Sequence, residues 1–143
     1  SVGAWYYEAL AGLAPDESEP GYRRILVRPQ VVRDLRWASG SIQTPYGRAA
    51  SSWRRTDEGL RLELEIPVGA EARVYVPALN LDDPVILESG KVIWREGAFR
   101  PEAAEGVHAG RREGRAIVLE TGSGIYRLEL RSGAGGEVGD SSQ

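Results

Sequence analysis

Trp37-Ala-Ser-Gly-Ser-Ile-Gln-Thr-Pro-Tyr-Gly-Arg-Ala-Ala-Ser-Ser-Trp53 reads as two short extended runs folded back on each other through Thr44-Pro45-Tyr46-Gly47. Proline pre-sets φ and glycine accepts the positive φ that a tight reversal often needs, so this tetrapeptide carries turn chemistry. Small residues fill most of both arms, which predicts a thin, closely packed hairpin with a tryptophan anchor at each end. Large aromatics give a small core much of its buried area, so Trp37, Trp53 and Trp94 are expected inside. Tyr46, on the turn tip, is expected outside. A hairpin of this kind points to a β-sandwich.

The segments downstream agree. Leu60-Arg-Leu-Glu-Leu-Glu-Ile66 alternates strictly, so Leu60, Leu62, Leu64 and Ile66 face a core while Arg61, Glu63 and Glu65 face water. Pro67 and Gly69 end that run, and Ala72–Pro77 is expected as its antiparallel neighbour across a short connection. Val85–Leu87, Lys91–Trp94, Arg115–Glu120 and Ile125–Arg131 are further strands, with Ser89-Gly90 as a hairpin signal. Residues 96–114 are polar and glycine-rich and read as a long loop.

Upstream the period is different. Val2, Trp5, Tyr6, Ala9, Leu10 and Leu13 recur at steps of three and four, which predicts an amphipathic helix over residues 1–11 with Gly12 as its C′ residue. Residues 14–21 read as an acidic linker, and Tyr22–Arg28, centred on Ile25-Leu26-Val27, as a strand stopped by Pro29. Residues 132–143 carry no aromatics and read as a disordered tail. The expected fold class is therefore all-β: an antiparallel β-sandwich of about eight strands over residues 22–131, preceded by one N-terminal α-helix.

The chain has 143 residues, 41% of them hydrophobic, enough for one modest core. It has no cysteine, which excludes disulfides and thiolate metal sites. It also has no methionine, even at position 1, and opens inside an expected helix, which reads as a fragment of something larger. Residues 21–60 hold eight arginines against Asp34, Asp57 and Glu58, a local balance of 8 − 3 = +5. Those arginines are spread over several strands and turns without interleaved aromatics, so no nucleic-acid partner is expected. No apolar run approaches a membrane span, so no membrane partner is expected either. A cytoplasmic and a secreted location both stay open. An exposed stripe at Val2, Trp5, Tyr6 and Leu10 would drive dimerisation of such a fragment.

No stretch of the sequence assembles a self-contained active site. His108 is the single histidine, and without a cysteine or second histidine it anchors neither a zinc site nor a triad. A glycosidase needs two opposed carboxylates, yet Glu63 and Glu65 sit in a solvent-facing alternation and Glu102 and Glu105 in the expected loop. Asp82-Asp83 lack the spaced ligand set of a Ca²⁺ loop. Gly122-Ser123-Gly124 is followed by a strand, where a nucleophile elbow needs a helix. No catalytic residue, metal or cofactor is expected. The flat faces of Tyr46, Trp53 and Trp37 are the carbohydrate-contact candidates.

The order of parts resembles the C-terminal end of bacterial α-L-rhamnosidases of glycoside hydrolase family 78. The resembling residues are Ser1-Val-Gly-Ala-Trp5, Ala11-Gly-Leu-Ala-Pro15, Pro20–Pro29, the Trp37–Trp53 hairpin, Leu64–Pro67, Ala72–Pro77, and Gly122-Ser-Gly124 before Tyr126. The resemblance implies that residues 1–13 hold the last helix of an upstream (α/α)₆ catalytic barrel, followed by a non-catalytic C-terminal β-sandwich. It implies a parent enzyme that removes terminal α-L-rhamnose with inversion, with its carboxylates outside this stretch. The upstream barrel is then the partner, with Val2, Trp5, Tyr6 and Leu10 as barrel-packing candidates. The alternative is an independent carbohydrate-binding module for rhamnosylated sugars.

Overall fold

The computed structural model describes residues 10–18, 23–32 and 34–133. Two β-sheets enclose one core. The five-stranded sheet is built from β1 (Leu13–Pro15), β2 (Arg24–Val27), β6 (Glu71–Pro77), β11 (Ala116–Thr121) and β10 (Val107–Glu113), in that spatial order. The seven-stranded sheet runs β3 (Trp37–Thr44), β4 (Gly47–Arg55), β5 (Gly59–Ile66), β12 (Gly124–Ser132), β7 (Pro84–Glu88), β8 (Lys91–Arg95) and β9 (Ala98–Phe99). Every pairing is antiparallel except β2 with β6. The sandwich thus has twelve strands among the described residues, against the eight or so expected.

Alternation builds the core as the sequence indicates. Leu60, Leu62, Leu64 and Ile66 are all buried, and they meet Val74, Val76, Ile117 and Leu119 of the facing sheet in one hydrophobic cluster. β5 is central because β12 pairs along its whole length, Tyr126 opposite Leu64 and Leu128 opposite Leu62. The expected pairing of Ala72–Pro77 with this strand is not made. Residues 67–70 form a corner that carries the chain to the other sheet, where β6 pairs with β2 and β11. Both sheets bury one face, so inward alternation alone does not distinguish a same-sheet neighbour from a facing one.

Residues 96–114 are not a loop. Glu96 and Gly97 both adopt positive φ, 55° and 73°, and turn the chain from β8 into β9. A single 3₁₀ turn, Pro101–Ala103, leads to β10, which pairs with β11. The Ser89-Gly90 hairpin is present as read, with φ of 51° and 86°.

Residues 1–9 of the helix expected over residues 1–11 lie outside the described residues, so that helix is not seen; only Leu10 and Ala11 are helical among those described. Gly12 follows with φ 85°, the left-handed value of a C′ glycine. Its Cβ-less face lies against the Arg28 carbonyl, 2.0 Å from where a Cβ would stand. That approach lets Leu13–Pro15, expected at a helix end and linker, pair antiparallel with Val27 to Ile25. Asp16 then accepts hydrogen bonds from the Ser18 hydroxyl and N–H (2.6 and 3.1 Å) and faces the Arg24 guanidinium at 3.6 Å. Ser132, the first residue of the expected tail, instead closes β12; residues 134–143 of that tail lie outside the described residues.

Candidate functional site

The opening hairpin is a two-residue loop, Pro45-Tyr46, between the paired Thr44 and Gly47. The Thr44 hydroxyl donates to the Gly47 carbonyl at 2.8 Å and accepts from the Tyr46 N–H at 3.1 Å, which locks the reversal. The loop length fixes the register: Trp37 lies opposite Arg54 and Ala38 opposite Trp53. The two tryptophans are therefore one residue out of step and sit on opposite faces of the sheet.

Trp53 is 1% exposed. Its Nε1–H donates to the Leu10 carbonyl at 3.0 Å, and the neighbouring inward hydroxyl of Ser51 donates to the Ala11 carbonyl at 3.2 Å. These two bonds bring the Leu10–Ala11 segment against the inner side of β4. Trp53 offers no free face to a sugar. Leu10, expected on an outward stripe, is itself buried in the sandwich core. Val2, Trp5 and Tyr6 lie outside the described residues. Trp94 is buried as expected.

Trp37 corrects the expectation of a core residue: it is 47% exposed on the outer face of the seven-stranded sheet. Beside it that face is hollow. A depression of about 450 Å³ is floored by Ser39, Ser41, Ala50 and Ser52 and rimmed by Arg48, Glu65 and Ile125. An adjoining hollow of about 340 Å³ includes Trp37, Arg54, Arg61 and Glu63. Small side chains on β3 and β4 create the depth, and longer ones on β5 and β12 the wall. Arg48 and Glu65 pair at 2.8 Å, and Arg61 reaches Glu129 at 3.6 Å.

Tyr46 is 41% exposed, as expected for a turn tip. One side of its ring is nonetheless covered. Gly69, with φ 93°, lies under it so closely that a Cβ there would stand 2.9 Å from Tyr46 Cδ1. The ring braces the hairpin tip against the 67–70 corner.

His108 lies exposed on β10, not in a loop, with its imidazole over Gly122. No group of three His, Asp or Glu among the described residues could hold a metal ion. Asp16 is the acid whose environment shifts its titration, and the Ser18 hydrogen bonds with Arg24 push it down, opposite to a general acid. Glu120 is bound by Arg73 at 2.8 Å and Arg111 at 3.1 Å, a charge ladder across β6, β11 and β10.

Tyr126, quoted above only as part of a pattern, is a structural lock. It is buried, and its hydroxyl lies 2.9, 3.1 and 3.2 Å from the carbonyls of Gly122, Ser123 and Gly106, tying the β11–β12 turn to the start of β10. Burial raises its phenol pKa.

Comparison with known proteins places this architecture. Residues 12–92 match the family described as bacterial α-L-rhamnosidase C-terminal domain. An α-L-rhamnosidase of Formosa agariphila is 38% identical over 80 residues, 56% of this chain and 8% of that protein. One of Streptomyces avermitilis is 28% identical over 130 residues, 91% of this chain and 11% of that protein. The solved α-L-rhamnosidase of Dictyoglumus thermophilum superposes with a TM-score of 0.71 at 27% identity, covering 92% of this chain and 13% of that one. The Streptomyces avermitilis enzyme, solved with L-rhamnose, gives 0.62 at 27% identity over 89% of this chain and 10% of that one. The chain thus spans about a tenth of the length of the relatives it matches. With its matched residues running from the Gly12 cap through the hairpin and β5 into β8, the chain belongs to the bacterial α-L-rhamnosidase C-terminal domain family.

Proposed function

We propose that this chain is the non-catalytic C-terminal β-sandwich of an α-L-rhamnosidase and packs against an upstream (α/α)₆ catalytic domain of the same polypeptide. The observation that carries the reading is one of proportion: matches spanning about nine-tenths of this chain correspond to only 10–13% of rhamnosidase chains, in a family described as their C-terminal domain. The single closed core of the sandwich agrees with a supporting role. The parent would remove terminal α-L-rhamnose with inversion, one carboxylic acid protonating the leaving oxygen and a carboxylate activating water, both upstream. The test is hydrolysis of an aryl α-L-rhamnoside. The full-length protein turns it over and this chain alone does not; turnover by the chain alone overturns the reading.

A second reading has one observation in its favour. Trp37 stands exposed beside a hydroxyl-lined depression, and an apolar ring with polar neighbours suits a pyranose. A carbohydrate contact there predicts saturable heat on titration with rhamnose and rhamnosylated oligosaccharides, lost in Trp37→Ala. No heat at millimolar sugar removes it.

A further inference from the structure

At one end of the sandwich the two sheets part around a pocket of about 600 Å³, larger than either hollow on the outer face. Three guanidinium groups line it, from three places far apart in sequence. Arg55 ends β4 on the strand's inward side, in step with Trp53 and Ser51. Arg36 precedes β3, and Arg115 sits in the β10–β11 turn. Asn80 adds an amide, and Val31 and Leu79 supply an apolar floor that joins the core cluster. No carboxylate is among the described lining residues.

Arg24, Arg48, Arg61, Arg73, Arg100, Arg111 and Arg131 each have a carboxylate within 4 Å. Several described arginines have no carboxylate within 4 Å among the described residues, Arg23, Arg54, Arg95, Arg112 and Arg127 among them, but Arg36, Arg55 and Arg115 are three such groups gathered on one pocket. Arg55 is held in place by backbone instead, its Nε donating to the Leu35 carbonyl at 3.1 Å and Nη2 to Val32 at 3.3 Å. The guanidinium is thereby ordered without being neutralised. Like charges gathered in a half-enclosed pocket raise the local potential and draw an anion. The adjoining groove extends the same field: Arg28, stacked 4.2 Å over Tyr75, shares Pro77 and Arg115 with the pocket. The one acid there, Glu113, is bound by Arg111.

The wall is also strained. Leu79 holds φ 56°, a left-handed conformation unfavourable for a leucine, in the turn where the Ala78 N–H bonds the Arg115 carbonyl at 2.9 Å. Ser89 and Glu96 hold the same conformation in plain hairpin turns, so the strain at Leu79 fixes the shape of the wall and does not by itself mark a ligand.

We propose that this pocket is an oxyanion site that takes a sugar acid or sugar ester, its carboxylate or sulfate held by Arg36, Arg55 and Arg115. The planar fork of arginine matches both groups bidentately, and the volume suits one or two sugar rings. The saccharide part rests on the rhamnosidase reading; the oxyanion part stands on the pocket.

The experiment is a titration of the chain with D-glucuronate, D-glucose 6-sulfate, inorganic sulfate and neutral L-rhamnose, read on the arginine Nε–H resonances. Saturable binding of a charged sugar at roughly millimolar concentration, shifting Arg36, Arg55 and Arg115 and weakening with salt, is expected. Tighter glucuronate assigns a carboxylate ligand, and tighter glucose 6-sulfate a sulfate ester. Arg36→Gln and Arg115→Gln, which leave the bonds of Arg55 to the backbone in place, each weaken binding about tenfold, the loss of one charge-assisted contact. Inorganic sulfate binding as tightly as either sugar overturns the saccharide part. Absence of saturable binding by roughly 50 mM, or binding unmoved by both substitutions, overturns the site. Failure of the rhamnosidase reading shows instead in the aryl rhamnoside assay, which does not involve this pocket.

Discussion

Trp53 is the side chain through which the hairpin holds the chain's incoming segment, so its removal has a size that can be worked out. Truncation to alanine empties a fully buried indole site, and such changes cost about 3–5 kcal/mol. The hydrogen bond to Leu10 adds less than its burial suggests. The Leu10 carbonyl also accepts from the Gln30 N–H at 2.9 Å, so losing the indole leaves no orphaned acceptor. The net loss for that bond is therefore about 1 kcal/mol. Trp53→Phe, which keeps one ring and forfeits the bond and the second ring, should cost about 2 kcal/mol, half the alanine figure. With an unfolding entropy near 2.1 cal/mol/K per residue, a chain of this length loses roughly 13 °C of melting temperature for 4 kcal/mol and roughly 7 °C for 2. Thermal melts followed by circular dichroism, with urea titrations alongside, read both variants. The reasoning fails if Trp53→Ala costs under about 1 kcal/mol, or if phenylalanine is as damaging as alanine.

Three other substitutions probe separate joints of the fold. Gly12→Ala places a Cβ against the Arg28 carbonyl at a positive φ, so β1 detaches from β2 at a cost of roughly 3 kcal/mol; faster amide exchange at Arg28 and Gln30 checks it. Asp16 titrates below its ordinary value because the Ser18 bonds, and then Arg24, favour its charged form. It therefore adds stability above about pH 4 that is lost as pH falls through its folded value, and Asp16→Asn flattens this part of the acid limb in urea titrations from pH 2 to 6. Tyr126→Phe withdraws the hydroxyl from the Gly122 and Ser123 carbonyls and costs about 1–3 kcal/mol; since the phenol is raised, the variant also lacks the stability loss of the native chain above about pH 10.

How much of this was legible in the residues differs from element to element. β5 could be read outright, because Leu60 to Ile66 alternate without a break. The opposite facing of Trp37 and Trp53 was also within reach. A two-residue loop at Pro45-Tyr46 pairs residue 38 with 53, which sends Trp37 to the other side. The placement of β6 was not, since an inward-facing alternation serves either sheet and only the 67–70 corner decides. β9 and β10 were missed although Glu96-Gly97 and Glu113-Gly114 carry turn chemistry, because His108–Glu113 has no β-branched residue and no apolar alternation to mark a strand. β1 left still less trace: Leu13-Ala-Pro15 becomes a strand through backbone pairing that the Gly12 approach permits. The arginine pocket had no local signature at all, being assembled from residues 36, 55 and 115.

The central claim is that the sandwich supports a catalytic domain rather than performing chemistry. Its most direct measurement is the melting temperature and rhamnoside turnover of the full-length protein before and after deletion of the sandwich. The account predicts a clearly lower melting temperature and an enzyme whose activity decays with it, the reactive carboxylates being intact. Unchanged melting together with unchanged activity would contradict it.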